Sequence, residues 1–157
     1  MAIDSTSTND PDHDLAVMMK MHHQGAINMA NYAITKGDDT IILSMMTMMK
    51  NMQMKEIKTL DSFINTHQPA NTGNQFMNAA MSAMQKMEKT ANEQKLNGDS
   101  DHDIVHLMIP HHQSAIEMSQ AEIQFGQVQM LKDLAQKMIM DQQKEIDDLR
   151  DWLKKND

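Results

Sequence analysis

The feature that most constrains this chain is that two thirds of it is one segment written twice. Residues 12–64 align with 101–153 at an offset of 89 without a gap, and 18 of the 53 pairs are identical, where composition alone gives about four. Asp12-His13-Asp14 matches Asp101-His102-Asp103, Met19 matches Met108, His22-His23-Gln24 matches His111-His112-Gln113, and Met29 matches Met118. Later in each copy Gln53, Lys55, Glu56, Ile57 and Leu60 match Gln142, Lys144, Glu145, Ile146 and Leu149. The fold must therefore dock two similar units against each other.

Each copy has the pattern of a helical hairpin. Apolar residues recur at helical spacing, and no segment keeps the period-two alternation of a strand. Asp12 and Asp101 are suitable N-caps, and Gly37 and Gly126 fall where a left-handed residue ends a first helix. The second helices are expected to run to about Thr66 and Lys155. Breaks at 67–74 and 97–100 bracket a further methionine-rich helix. The expectation is an all-α, single-domain four-helix bundle over residues 11–157. It comprises repeat 1 (12–67), a connecting helix (75–96) and repeat 2 (101–155), with residues 1–10 as a frayed polar tail. Pro110 lies inside the second copy's first helix, where the first copy has Met21, so a kink is expected there.

Composition decides whether such a bundle has a core. Leu, Ile, Val and Phe total only 28 of 157 residues, but 20 methionines bring the large apolar set to 48, an ordinary supply. The net charge of −8 argues against phosphate-backbone binding, which needs a basic surface. With no cysteine, disulfides, iron–sulfur clusters and thiolate zinc sites are excluded. No apolar run is long enough to span a bilayer, so no membrane insertion is expected. The start lacks the basic and apolar regions of a leader.

What is polar on the apolar faces points to chemistry. His22 and His23 straddle the apolar arc of the first helix, and His111 and His112 do so in the second copy. Gln53 and Glu56, and their counterparts Gln142 and Glu145, share faces with Ile, Leu and Met residues. Burying such groups unpaired costs roughly 1–3 kcal/mol each. A histidine–carboxylate network that fixes hairpin docking satisfies them. So does metal ligation, because a ligating imidazole usually donates its other N–H to a carboxylate.

Methionine ordinarily fills gaps in cores, but here it clusters. Met45, Met46, Met48, Met49, Met52 and Met54 place six thioethers in ten residues, and Met77, Met81, Met84 and Met87 form a stripe on the connecting helix. Thioether and imidazole without thiolate suit soft monovalent copper or silver. The Glu-x-x-His pairs of di-iron bundles, the His-Glu-x-x-His zinc motif and calcium-loop patterns are all absent. No nucleophile–base pair stands out, so an enzyme is not expected.

The segments Met108-Ile109-Pro110-His111-His112-Gln113-Ser114-Ala115-Ile116-Glu117-Met118 and Gln142-Gln143-Lys144-Glu145-Ile146 resemble the DUF305 family over residues 12–155. That resemblance implies a ferritin-like helical fold and an exported copper protein of the periplasm or cell exterior. The ligands it implies are Met19, His22, His23, Met29, Met108, His111, His112 and Met118. The composition adds Met18, Met45, Met48, Met49, Met52, Met77, Met81 and Met84, with Gln53, Glu56, Gln142 and Glu145 as supporting groups. The first copy has Lys20-Met21 where the family pattern has Ile-Pro. The expected function is copper(I) sequestration or transfer, with silver(I) as surrogate ion and a copper exporter or chaperone as possible partner. The alternatives are a noncovalent haem electron carrier and a structural helical module without cofactor. Ions held by the histidines are expected to leave near pH 5 as imidazole protonates, while thioether sites stay filled.

Overall fold

The computed structural model describes residues 7–156. Five α-helices account for the ordered secondary structure: α1 (Pro11–Lys36), α2 (Thr40–Thr66), α3 (Gln75–Asn92), α4 (Ser100–Phe125) and α5 (Gln129–Asn156). The first and last pairs are the two hairpins, and α3 is the connecting helix, four residues shorter at its end than the sequence pattern suggested. Helix α4 runs unbroken through Pro110, which is buried within it.

The hairpins meet through α1 and α4, and α3 packs on α4 with a smaller contact to α1. Helices α1 and α4 are antiparallel, as the two apolar clusters show. Leu15, Met18 and Met19 from the start of α1 pack with Ala115, Met118 and Ala121 from the end of α4, joined by Leu60, Phe63, Leu131 and Met138. At the other end Ala26, Ala30 and Ala33 pack with Ile104, Val105 and Met108, joined by Ile42, Met46, Leu149 and Trp152. Alanines where α1 meets α4 let the backbones approach closely, and the flanking Leu and Ile side chains each contribute roughly 1.5–3 kcal/mol by burial. The double histidines lie midway along α1 and α4, between the two clusters.

Three expectations change. The N-caps are Asp10 and Asp99, two residues earlier than Asp12 and Asp101: Asp10 accepts from the amides of Asp12 and His13, and Asp99 from that of His102. Asp12 and Asp101 reach across the bundle instead. Asp101 accepts from the amides of Asp38 and Asp39 at 2.9 Å, at the start of α2. Asp12 accepts from those of Gln127 and Val128 at 2.9–3.2 Å, just before α5. Each hairpin thus caps the second helix of the other.

Gly37 and Gly126 are not left-handed but extended, at φ −80° and −70°. Glycine is needed there for space. A Cβ on Gly37 meets Asp101 Oδ1 at 2.1 Å, and one on Gly126 meets Glu122 Oε1 at 2.3 Å.

Of the expected frayed tail, residues 1–6 lie outside the described residues. Ser7, Thr8 and Asn9 are tied down, because Asp14 accepts from the Ser7 hydroxyl and from the amides of Thr8 and Asn9. Asp103 does the same for the amides of Asn97 and Gly98 in the second copy.

Candidate metal centre

The antiparallel crossing of α1 and α4 brings His22 and His111 together as stacked rings, with centroids 3.7 Å apart and planes 28° from parallel. His23 and His112 flank them and are fully buried. His23 Nε2 lies 2.8 Å from Glu56 Oε2, and His112 Nε2 lies 2.5 Å from Glu145 Oε2. A carboxylate oxygen accepts, so each ring donates its Nε2 proton to its glutamate, and in the neutral ring Nδ1 is then the lone pair. Both Nδ1 atoms are buried without a hydrogen-bond partner among the described residues, as is His111 Nδ1. Leaving such groups unsatisfied costs about 1–3 kcal/mol each, and packing alone does not call for it.

The centre is not quite symmetric. Ser114 stands where the first copy has Gly25. His22 Nε2 lies 2.7 Å from the Ser114 hydroxyl, which is 2.6 Å from the His111 carbonyl. With one proton to give, the hydroxyl donates to the carbonyl and accepts from His22. The Met87 thioether, 3.2 Å away, is its other neighbour. On the opposite side His111 Nε2 faces Gly25, where even a Cβ fits only tightly at 3.3 Å. The repeat does not mark Ser114, since its counterpart in the first copy is Gly25.

Burial, reinforced by the charges that His111, His23 and His112 carry when protonated, holds His22 well below the usual histidine value of 6.5. Burial, with His112 and His23, pushes His111 down to about 3. Both rings are therefore neutral at ordinary pH, the form in which imidazole ligates.

The methionines divide into three groups. Met18, Met19, Met108 and Met118 are buried on the histidine-bearing helices, and Met29 is half-buried against the second cluster. Positions 19 and 108 precede the double histidines by three and four residues, which puts them on the same helix face. On α3, Met77 is buried, and Met81 and Met84 pack against the first cluster. On α2, Met45, Met48, Met49 and Met52 line a groove of about 300 Å³ facing α5. Gln53 and Gln142 are buried, each with its Oε1 unpartnered among the described residues.

Among the described residues no three His, Asp or Glu side chains are gathered to hold an ion by themselves. Any ion bound here must accept few ligands or take thioether sulfur. Imidazole nitrogen and thioether sulfur are poor donors for calcium, magnesium or manganese, which take oxygen ligands.

Two solved structures share this fold. A DUF305 protein of Streptomyces coelicolor, described as secreted, superposes with a TM-score of 0.73 at 20% identity, covering 95% of this chain and 94% of its own. CopM in its Cu(II)-bound form gives 0.69 at 22% identity, covering 92% and 96%. Comparison with curated proteins finds no match. No helix among the described residues is long and apolar enough to cross a membrane. The sequence itself matches the DUF305 family, described as a domain of unknown function, over residues 12–153, and the chain therefore belongs to that family.

Proposed function

We propose that this protein is a non-enzymatic binder of monovalent copper, acting outside the cytoplasm to sequester the ion or hand it to an exporter or chaperone. The observation that carries the reading is the pair His23 and His112. Each has one ring nitrogen fixed by a carboxylate and the other bare and buried, beside the stacked rings of His22 and His111. A carboxylate behind the ring sets the tautomer and raises ligand basicity. Glu56 and Glu145 play that part, while Met19 and Met108 are the thioethers placed on the same faces. Copper is cargo here, held by residues from both hairpins. The copper carried by CopM supports the choice of element, and the donor set supports the monovalent state. The secreted description of the Streptomyces coelicolor structure supports the location.

Rings stacked at 3.7 Å leave no room for a porphyrin between His22 and His111, so this pair does not favour the haem alternative. The test is competition for Cu(I) against a chromogenic chelator under reducing conditions. The wild-type protein should retain Cu(I), and His23→Ala/His112→Ala should retain markedly less. A wild-type protein that yields all its Cu(I) to a micromolar-affinity chelator overturns the reading.

A further inference from the structure

The methionine groove on α2 lies outside the histidine centre. Met45, Met48, Met49 and Met52 recur at i, i+3, i+4 and i+7, so their thioethers share one face, opposite Asp141, Lys144, Glu145 and Asp148 of α5. Helices α2 and α5 are not among the closely packed pairs of the bundle, and the groove is the gap between them.

The internal repeat supplies a control for what packing requires. The equivalents of Met45, Met48, Met49 and Met52 in the second copy are Leu134, Lys137, Met138 and Asp141. Only Met49 is kept, and Met49 and Met138 are both buried. Packing thus calls for an apolar residue at position 49 and at position 45, where Met45 and Leu134 each pack against an apolar cluster, but not at 48 or 52, where the second copy has Lys137 and Asp141. Met48 is 68% exposed, so burial does not account for it either. Of the facing carboxylates, Asp141 is paired with Lys137 and Asp148 with Lys144. The groove therefore offers sulfur more than negative charge, which disfavours hard divalent ions.

We infer that Met45, Met48 and Met52 form a second, solvent-facing site for a soft monovalent cation, Cu(I) or its surrogate Ag(I). Glu145 lines this groove and also accepts the hydrogen bond from His112. The surface site thus lies one side chain away from the buried centre and is placed to load or unload it. The loading role rests on the proposed copper function; the site itself does not.

The experiment is an Ag(I) titration of the full chain, followed by the methionine methyl resonances in carbon–proton NMR and by bound silver after desalting. In the wild type, the methyls of Met45, Met48 and Met52 should shift, and they should still shift in His23→Ala/His112→Ala. The variant Met45→Leu/Met48→Leu/Met52→Leu should lose one equivalent of silver while the histidine ring resonances still respond. Groove methyls that stay unmoved at every silver ratio overturn the inference, as does a groove variant that keeps every equivalent. Histidine rings that never respond, with groove methyls that do, overturn the core reading and leave the surface site standing.

Discussion

Glu122 is the residue whose chemistry departs most from its ordinary behaviour. It is fully buried, and neither carboxyl oxygen finds a donor among the described residues. Burial first, then the hydrogen bond to Asp12 and the charges of Asp12 and Asp10, push it up to about 10. It is therefore held as a neutral acid at ordinary pH, close to the Asp12 carboxylate that caps α5. The folded state binds a proton that the unfolded chain gives up near pH 4.5, so stability is full below that value and falls as pH rises towards 10. Glu122→Gln keeps a donor without the ionisation. Its melting temperature should equal that of the wild type near pH 4 and exceed it near pH 9; equal melting at both pH values refutes the protonated-acid assignment. The same physics revises the acid sensitivity expected from the sequence. His22 and His111 are both held below their ordinary range, His111 down to about 3, so protons compete for His111 only well under pH 5. Silver held by His111 should persist at pH 5 and leave as pH approaches 3, which equilibrium dialysis at stepped pH can follow. Release complete by pH 5 contradicts neutral, buried rings.

The exchange of caps between the hairpins governs the helices. Asp101 satisfies two amides that α2 otherwise leaves orphaned, and Asp12 satisfies two beside α5. Asp101→Ala should destabilise by about 1–2 kcal/mol or somewhat more, with faster amide exchange at Asp38 and Asp39. Unchanged exchange there shows that water replaces the carboxylate without penalty. Gly37→Ala should be at least as damaging, because the added Cβ collides with both Asp101 and the Ala33 carbonyl. Much at this scale was legible: five helices, both hairpins and the polar residues on the inner faces follow from periodicity and the repeat. Partner choice was less so. The pattern Asp-x-Asp-x-Asp stands in both copies, at Asp10, Asp12 and Asp14 and at Asp99, Asp101 and Asp103. Only three-dimensional proximity shows that the first of each caps its own helix, the second caps the other hairpin and the third ties down the preceding chain. The glycines were found for the wrong reason, since sequence marks where glycine occurs and not whether angle or space demands it. His23–Glu56 and His112–Glu145 were anticipated as histidine–carboxylate pairing on inward faces, whereas the His22–Ser114 contact depends on a position the two copies do not share.

At the scale of the whole molecule, the two candidate sites differ in how they are built. The centre draws on α1 and α4, so ligands separated by 89 positions come together only in the folded bundle. The groove ligands Met45, Met48 and Met52 lie within one stretch of α2, and the unfolded chain still offers them close together. A ligand stabilises a fold only to the extent that it prefers the folded state. Silver at the centre should therefore raise the melting temperature substantially, and silver in the groove should raise it little. At a hundredfold excess over Kd the stabilisation is about 2.7 kcal/mol, and for a chain of this size each kcal/mol shifts melting by roughly 2–4 °C. The centre should then add roughly 5–10 °C. The variant Met45→Leu/Met48→Leu/Met52→Leu should keep nearly all of that rise, because its core donors are intact. His23→Ala/His112→Ala, compared with its own metal-free form, should lose most of it. Circular dichroism melts of the three proteins with and without Ag(I) make the comparison. A rise that survives loss of both histidines but disappears with the methionines means that silver stabilises the bundle from its surface, and that the buried rings do not hold it.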